Sequence, residues 1–76
     1  MELGTRWAVG SEAPARLPDA MRAAVAEVEA ELTGTDTSAW RWTLTWLEGR
    51  PIVELDDGTT LRYDPPTDTV FRSLAD

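Results

Sequence analysis

The stretch Trp40-Arg41-Trp42-Thr43-Leu44-Thr45-Trp46-Leu47-Glu48-Gly49-Arg50-Pro51-Ile52-Val53-Glu54-Leu55 decides the fold. Apolar and polar residues alternate from Trp40 to Trp46, the period-two signature of a half-buried strand. Glu48-Gly49 turns the chain and Pro51 to Leu55 returns it. With a two-residue turn, Leu47 opposes Arg50, Trp46 opposes Pro51, Leu44 opposes Val53 and Trp42 opposes Leu55, while Arg41 meets Asp56. Apolar groups then share one face and opposite charges the other. A one-residue slip would send every side chain of the returning strand to the wrong face, so the pattern fixes the register.

The same reasoning extends toward the C-terminus. Asp56-Asp57-Gly58 reads as a three-residue loop with Gly58 in the left-handed region, setting Leu55 against Thr59 and Val53 against Leu61. A five-residue loop over Asp64-Pro65-Pro66-Thr67-Asp68 sets Tyr63 against Thr69 and Leu61 against Phe71. The expected core face is Trp40, Trp42, Leu44, Trp46, Val53, Leu55, Leu61, Tyr63 and Phe71. The expected outer face is Arg41, Thr43, Thr45, Leu47, Ile52, Glu54, Thr60, Arg62, Val70 and Arg72.

Toward the N-terminus, Met21, Val25, Val28 and Leu32 recur at helical spacing, with Leu17 and Ala24 alongside. Pro18 suits the first turn, Asp19 suits its dipole, and Gly34 suits the exit, so a helix is predicted over 18–33. Residues 10–17 lack periodicity and read as a linker. Residues 2–9 alternate weakly and are a candidate edge strand. The chain is therefore expected to be one α+β domain over 1–76: an amphipathic helix packed on a three- to four-stranded antiparallel β-meander (40–74), with an N-terminal strand as a further addition.

Composition narrows the function. The chain has 76 residues, 14 acidic against 7 basic, a net charge of −7, and neither cysteine nor histidine. Lysine, asparagine and glutamine are missing too, so every positive charge is an arginine; a GC-rich coding bias accounts for such absences without any function. Disulfides, thiolate zinc sites, cysteine nucleophiles and histidine bases are excluded. Serines lack a conventional base, paired carboxylates lack a cleft, and no glycine-rich phosphate loop is present, so no catalytic residue, metal ligand or cofactor site is assigned. Nucleic acid and anionic membrane are poor partners, because their binding draws on clustered cations and these arginines are scattered. No run approaches the roughly 20 apolar residues of a membrane span. Met1 to Arg6 shows neither a basic nor an apolar leader region, so a cytoplasmic location is expected.

Three groups of residues are candidates for contact. Glu27, Glu29 and Glu31 gather near the C-terminal end of the helix, where carboxylates face the negative end of the dipole; an acidic patch there would meet a basic surface. Arg41, Arg62 and Arg72, with Ile52 among them, give the outer sheet face the arginine-aliphatic mixture of a protein interface. Trp40 and Trp46, at the ends of the tryptophan row, are the positions where a sugar or other flat ligand would stack.

The leading expectation is a small acidic, non-catalytic module that binds another protein with a basic surface, in the manner of an antitoxin, an immunity protein or a regulatory subunit. Open sheet edges leave a homodimer available as well. The alternatives are a ligand-binding module using Trp40 and Trp46, and an accessory domain of a larger assembly.

Overall fold

The computed structural model describes residues 4–74, so Glu2 and Leu3 of the expected edge strand lie outside the described residues. The chain runs β1 (Thr5–Ala8), α1 (Asp19–Glu31), β2 (Arg41–Leu47), β3 (Arg50–Leu55), β4 (Thr59–Asp64) and β5 (Thr69–Leu74), with a 3-10 turn at Pro65–Thr67. The strands form one antiparallel sheet in the order β1-β2-β3-β4-β5, and α1 packs across one face. The class is α+β, as the alternation predicts, but the sheet has five strands rather than three or four.

The central hairpin has the predicted register, with Trp42 opposite Leu55, Leu44 opposite Val53, Trp46 opposite Pro51 and Leu47 opposite Arg50. Its turn places Glu48 at φ 53° and Gly49 at φ 78°. Two positive φ values give the turn a twist that matches the flanking strands, and a glycine at the second position accepts it without strain. The next loop is the three-residue one: Gly58 sits at φ 100° and Val53 faces Leu61. On the other side, β1 joins β2 with Trp7 opposite Trp42, which brings the two indoles into a stacked pair with centroids 6.3 Å apart.

The β4–β5 connection departs from expectation. Asp64 pairs with Thr69, Tyr63 with Val70, Arg62 with Phe71 and Leu61 with Arg72, so the loop has four residues instead of five. The 3-10 turn closes with Asp68 in the left-handed region, its N–H donating to Pro65 O. Two side-chain bonds fix this geometry: Tyr63 Oη donates to Asp68 Oδ1 at 2.5 Å and Thr67 Oγ1 to Asp64 Oδ2 at 2.6 Å. One residue fewer in the loop inverts β5. Phe71 therefore lies on the outer face at 59% exposure, while Val70 and Arg72 turn to the helix side, the reverse of the predicted assignment for all three.

The core lies between α1 and the inner sheet face. Met21, Val25 and Val28 of the helix meet Trp42, Leu44, Val53, Leu55 and Leu61, all buried, with Trp7 and Leu17 completing the cluster. Burying an indole removes about 150–250 Å² from water, so Trp42 and Trp7 each contribute several kcal/mol of gross apolar stabilisation. The helix is slightly shorter than the predicted 18–33. Pro18 precedes it, its carbonyl accepting from the N–H groups of Met21 and Arg22, and Leu32 caps its end before Gly34 takes φ 94°.

Candidate functional site

The residues singled out from sequence separate onto two sides of the sheet. Strand alternation puts Arg6, Arg41, Arg50 and Arg62 on the face that carries no helix, together with Thr43, Thr45, Leu47, Ile52, Glu54 and Phe71. Four of the seven arginines thus occupy one surface. Arg6 reaches Asp56 at 3.6 Å and Arg50 reaches Asp64 at 3.8 Å. Among the described residues no outer-face arginine forms an ion pair with Glu54. The Asp56 carboxylate instead accepts the backbone N–H of Arg41, and the guanidinium groups of Arg41 and Arg62 have no ion-pair partner among the described residues. Beside Arg62 lies a shallow depression of about 360 Å³ that includes Leu47, Ile52 and Phe71 in its wall.

The opposite side is acidic. Over its length α1 holds Asp19, Glu27, Glu29 and Glu31 against Arg22. The three glutamates do not form one patch with a common role. Glu29 turns inward: its Oε2 accepts the indole N–H of Trp42 at 2.9 Å and the backbone N–H of Gly10 at 3.2 Å. The ring is fully buried, so its donor needs a partner inside the fold, and Glu29 supplies it. Glu31 forms a two-pronged bond with Arg72, at 2.8 and 2.9 Å, which ties the end of the helix to the edge strand. That hydrogen bonding holds the Glu31 carboxyl below its ordinary value and raises Arg72. Glu27 is exposed and has no ion-pair or hydrogen-bond partner among the described residues.

Arg72 is thus a helix-side residue, brought there by the inverted register of β5. Sequence periodicity missed it, because Phe71 is the more apolar of the two neighbours and draws the reading inward. The available signal was charge: Arg72 is the one charged residue of β5, and the end of the helix carries Glu27 and Glu31. Between α1 and β5 lies a groove of about 280 Å³ walled by Ala20, Ala23, Ala24 and Glu27 on the helix and by Val70 and Arg72 on the strand.

The tryptophan row offers little platform. Trp42 is fully buried, while Trp40 and Trp46 are partly buried and pack on the core. The Arg16 guanidinium lies over the Trp46 ring, 5.2 Å from its centroid. No group of three or more carboxylates among the described residues is arranged to hold a metal ion. No described helix is long and apolar enough to cross a membrane.

No family model, curated protein or solved structure matches the chain. The functional reading rests on the surfaces themselves.

Proposed function

We propose that this chain is a small, acidic, non-catalytic cytoplasmic module that binds another protein through a basic surface on that partner, as an antitoxin, immunity protein or regulatory subunit does. One observation carries the reading, the acidic excess of the helix. α1 holds four carboxylates against Arg22, whereas four of the seven arginines lie on the helix-free face, where Arg6 and Arg50 face Asp56 and Asp64. Such a field steers a cationic partner toward one side of the molecule and discriminates against acidic ones. The absence of histidine, cysteine and lysine supports the non-catalytic part of the reading. Glu29 and Glu31 spend their hydrogen-bonding capacity inside the fold, so Glu27 is the member of the acidic group best placed to meet a partner.

A second contact on the outer face is favoured by Leu47 at 55% and Phe71 at 59% exposure around Arg62, which has no ion-pair partner among the described residues. Such a surface suits a less charged partner or a second copy of the chain. Affinity capture from the native host separates the two. Capture by wild type that is lost with Glu27→Arg and kept with Arg62→Glu supports the helix side. A partner indifferent to Glu27→Arg removes the acidic-surface mechanism.

A further inference from the structure

The two edges of the sheet are unequal. β1 is four residues long, whereas β5 runs six residues in unbroken register with β4, contains no proline, and has no described strand on its other side. Exposed edges are normally guarded by an outward charge, a proline, a bulge or shortness. The charge on β5, Arg72, is drawn instead onto Glu31 of the helix. Among the described residues nothing pairs with the outward backbone donors and acceptors of this edge.

The groove described above opens beside this edge. Ala20, Ala23 and Glu27 recur at i, i+3 and i+7, so they share the helix face that looks onto it. A strand added to β5 would send every second side chain into the space between α1 and the sheet, next to Val70. Alanines leave room there for aliphatic side chains. Charge sets the rest of the specificity. Arg72 is bonded to Glu31 and also feels Glu27 and Asp57, so one cation stands among three carboxylates. A cation from outside would offset this local excess of negative charge. A second copy paired through its own β5 would bring one arginine on the strand but also its α1, with a further Glu27 and Glu31, to the same side of the sheet.

We propose that β5 accepts an extended segment of a partner protein as a sixth strand, a segment whose alternate, groove-facing residues are aliphatic with a lysine or arginine among them to meet Glu27. This deepens the reading of the chain as a binder of basic partners and rests on it. Strand addition takes affinity from main-chain hydrogen bonds and specificity from pockets for alternate side chains, which is the combination that β5 and its groove provide.

The probe is an array of synthetic seven-residue peptides with capped ends. One set carries valine or leucine and one lysine or arginine at alternate positions with threonine between them, a second replaces the cations by glutamate, and a third carries N-methyl groups at successive backbone positions of the strongest binder. The basic alternating set should bind the full chain about tenfold or more tighter than the acidic set, and Glu27→Arg should remove most of that preference. In the methylated set, every second position should abolish binding while the others are tolerated, because only alternate N–H groups face β5. Backbone amide shifts should centre on 69–74. The proposal is overturned if no basic peptide binds, if sensitivity to methylation lacks the two-residue period, or if the shifts centre elsewhere. A concentration-dependent dimer that protects the β5 amides without peptide also overturns it, since the edge then belongs to a second copy. Failure of the peptides while the captured partner still distinguishes Glu27→Arg from wild type would reject strand addition alone. Indifference of that partner rejects the underlying reading.

Discussion

At the scale of single residues, Glu29 carries more of the structure than its position on a polar helix face suggests. Its carboxylate is the acceptor for the indole N–H of Trp42, a ring with no exposure, and it also holds the backbone of Gly10. In Glu29→Ala that indole donor is left unpaired in the core, which costs about 1–3 kcal/mol. Urea denaturation should show this loss, and Glu29→Gln, which keeps an acceptor, should recover most of it. Equal stability of the alanine variant and wild type would mean that the bond contributes nothing. Tyr63 offers a second measurement, because it is the chain's single tyrosine. Its hydrogen bond to Asp68, with the nearby charges of Asp68 and Asp64, raises the phenol above its ordinary value of 10.0. Ultraviolet titration should therefore find the phenolate midpoint above that value, and Asp68→Asn should lower it. Asparagine tolerates the left-handed backbone of that position, so the loop is retained and the change reports on charge.

At the scale of elements, the β4–β5 hairpin and the helix end are coupled through Arg72. The folded state lowers the Glu31 pKa from an ordinary 4.5, so the contribution of this pair is fully present above that value. It is lost as pH falls through the folded-state pKa. Stability of wild type should consequently decline on the acid side of 4.5 more steeply than that of Glu31→Gln, a difference that thermal melts across pH 2.5–6 will detect. Both side chains are near half exposed, so added salt should shrink the difference. The hairpins also show how much of the fold was legible. In β2–β3 and β3–β4, strong apolar alternation on both strands leaves one register that sets Trp42, Leu44, Val53, Leu55 and Leu61 together on the helix side, and Gly49 and Gly58 mark the turns. β5 lacks that constraint. It is an edge strand, so burying Phe71 gains less there than in the middle of the sheet. The outcome is set by Asp68 in the turn and by the Arg72–Glu31 bond, neither of which periodicity detects. Proton contacts across the sheet between Tyr63 and Val70, rather than between Tyr63 and Thr69, would verify this register.

At the scale of the molecule, a 76-residue chain without disulfides has a core that supplies only a few kcal/mol of net stability. The tryptophans account for much of that core, and their emission should show it. Trp7 and Trp42 should stay protected from acrylamide while Trp40 and Trp46 are partly quenched, and glycans should leave the spectrum unchanged. A red-shifted spectrum that sugars perturb would restore the stacking platform and weaken the account. The candidate surface was only partly legible. Glu27 and the outer-face residues Arg41, Ile52 and Arg62 occupy the surfaces expected of them, but the internal roles of Glu29 and Glu31 depend on contacts across 13 and 41 residues of chain. Helical spacing describes neighbours one turn apart and is silent about such partners. That Arg6, Arg41, Arg50 and Arg62 share one face also emerged only with the strand pairing. The central claim is that the acidic helix side engages a basic partner, and it is tested most directly by calorimetric titration of the captured partner into wild type and Glu27→Arg. The account predicts binding about tenfold weaker in the variant, or about 1.4 kcal/mol, with a reduced dependence on salt. Equal affinity and equal salt dependence in the two proteins would contradict it.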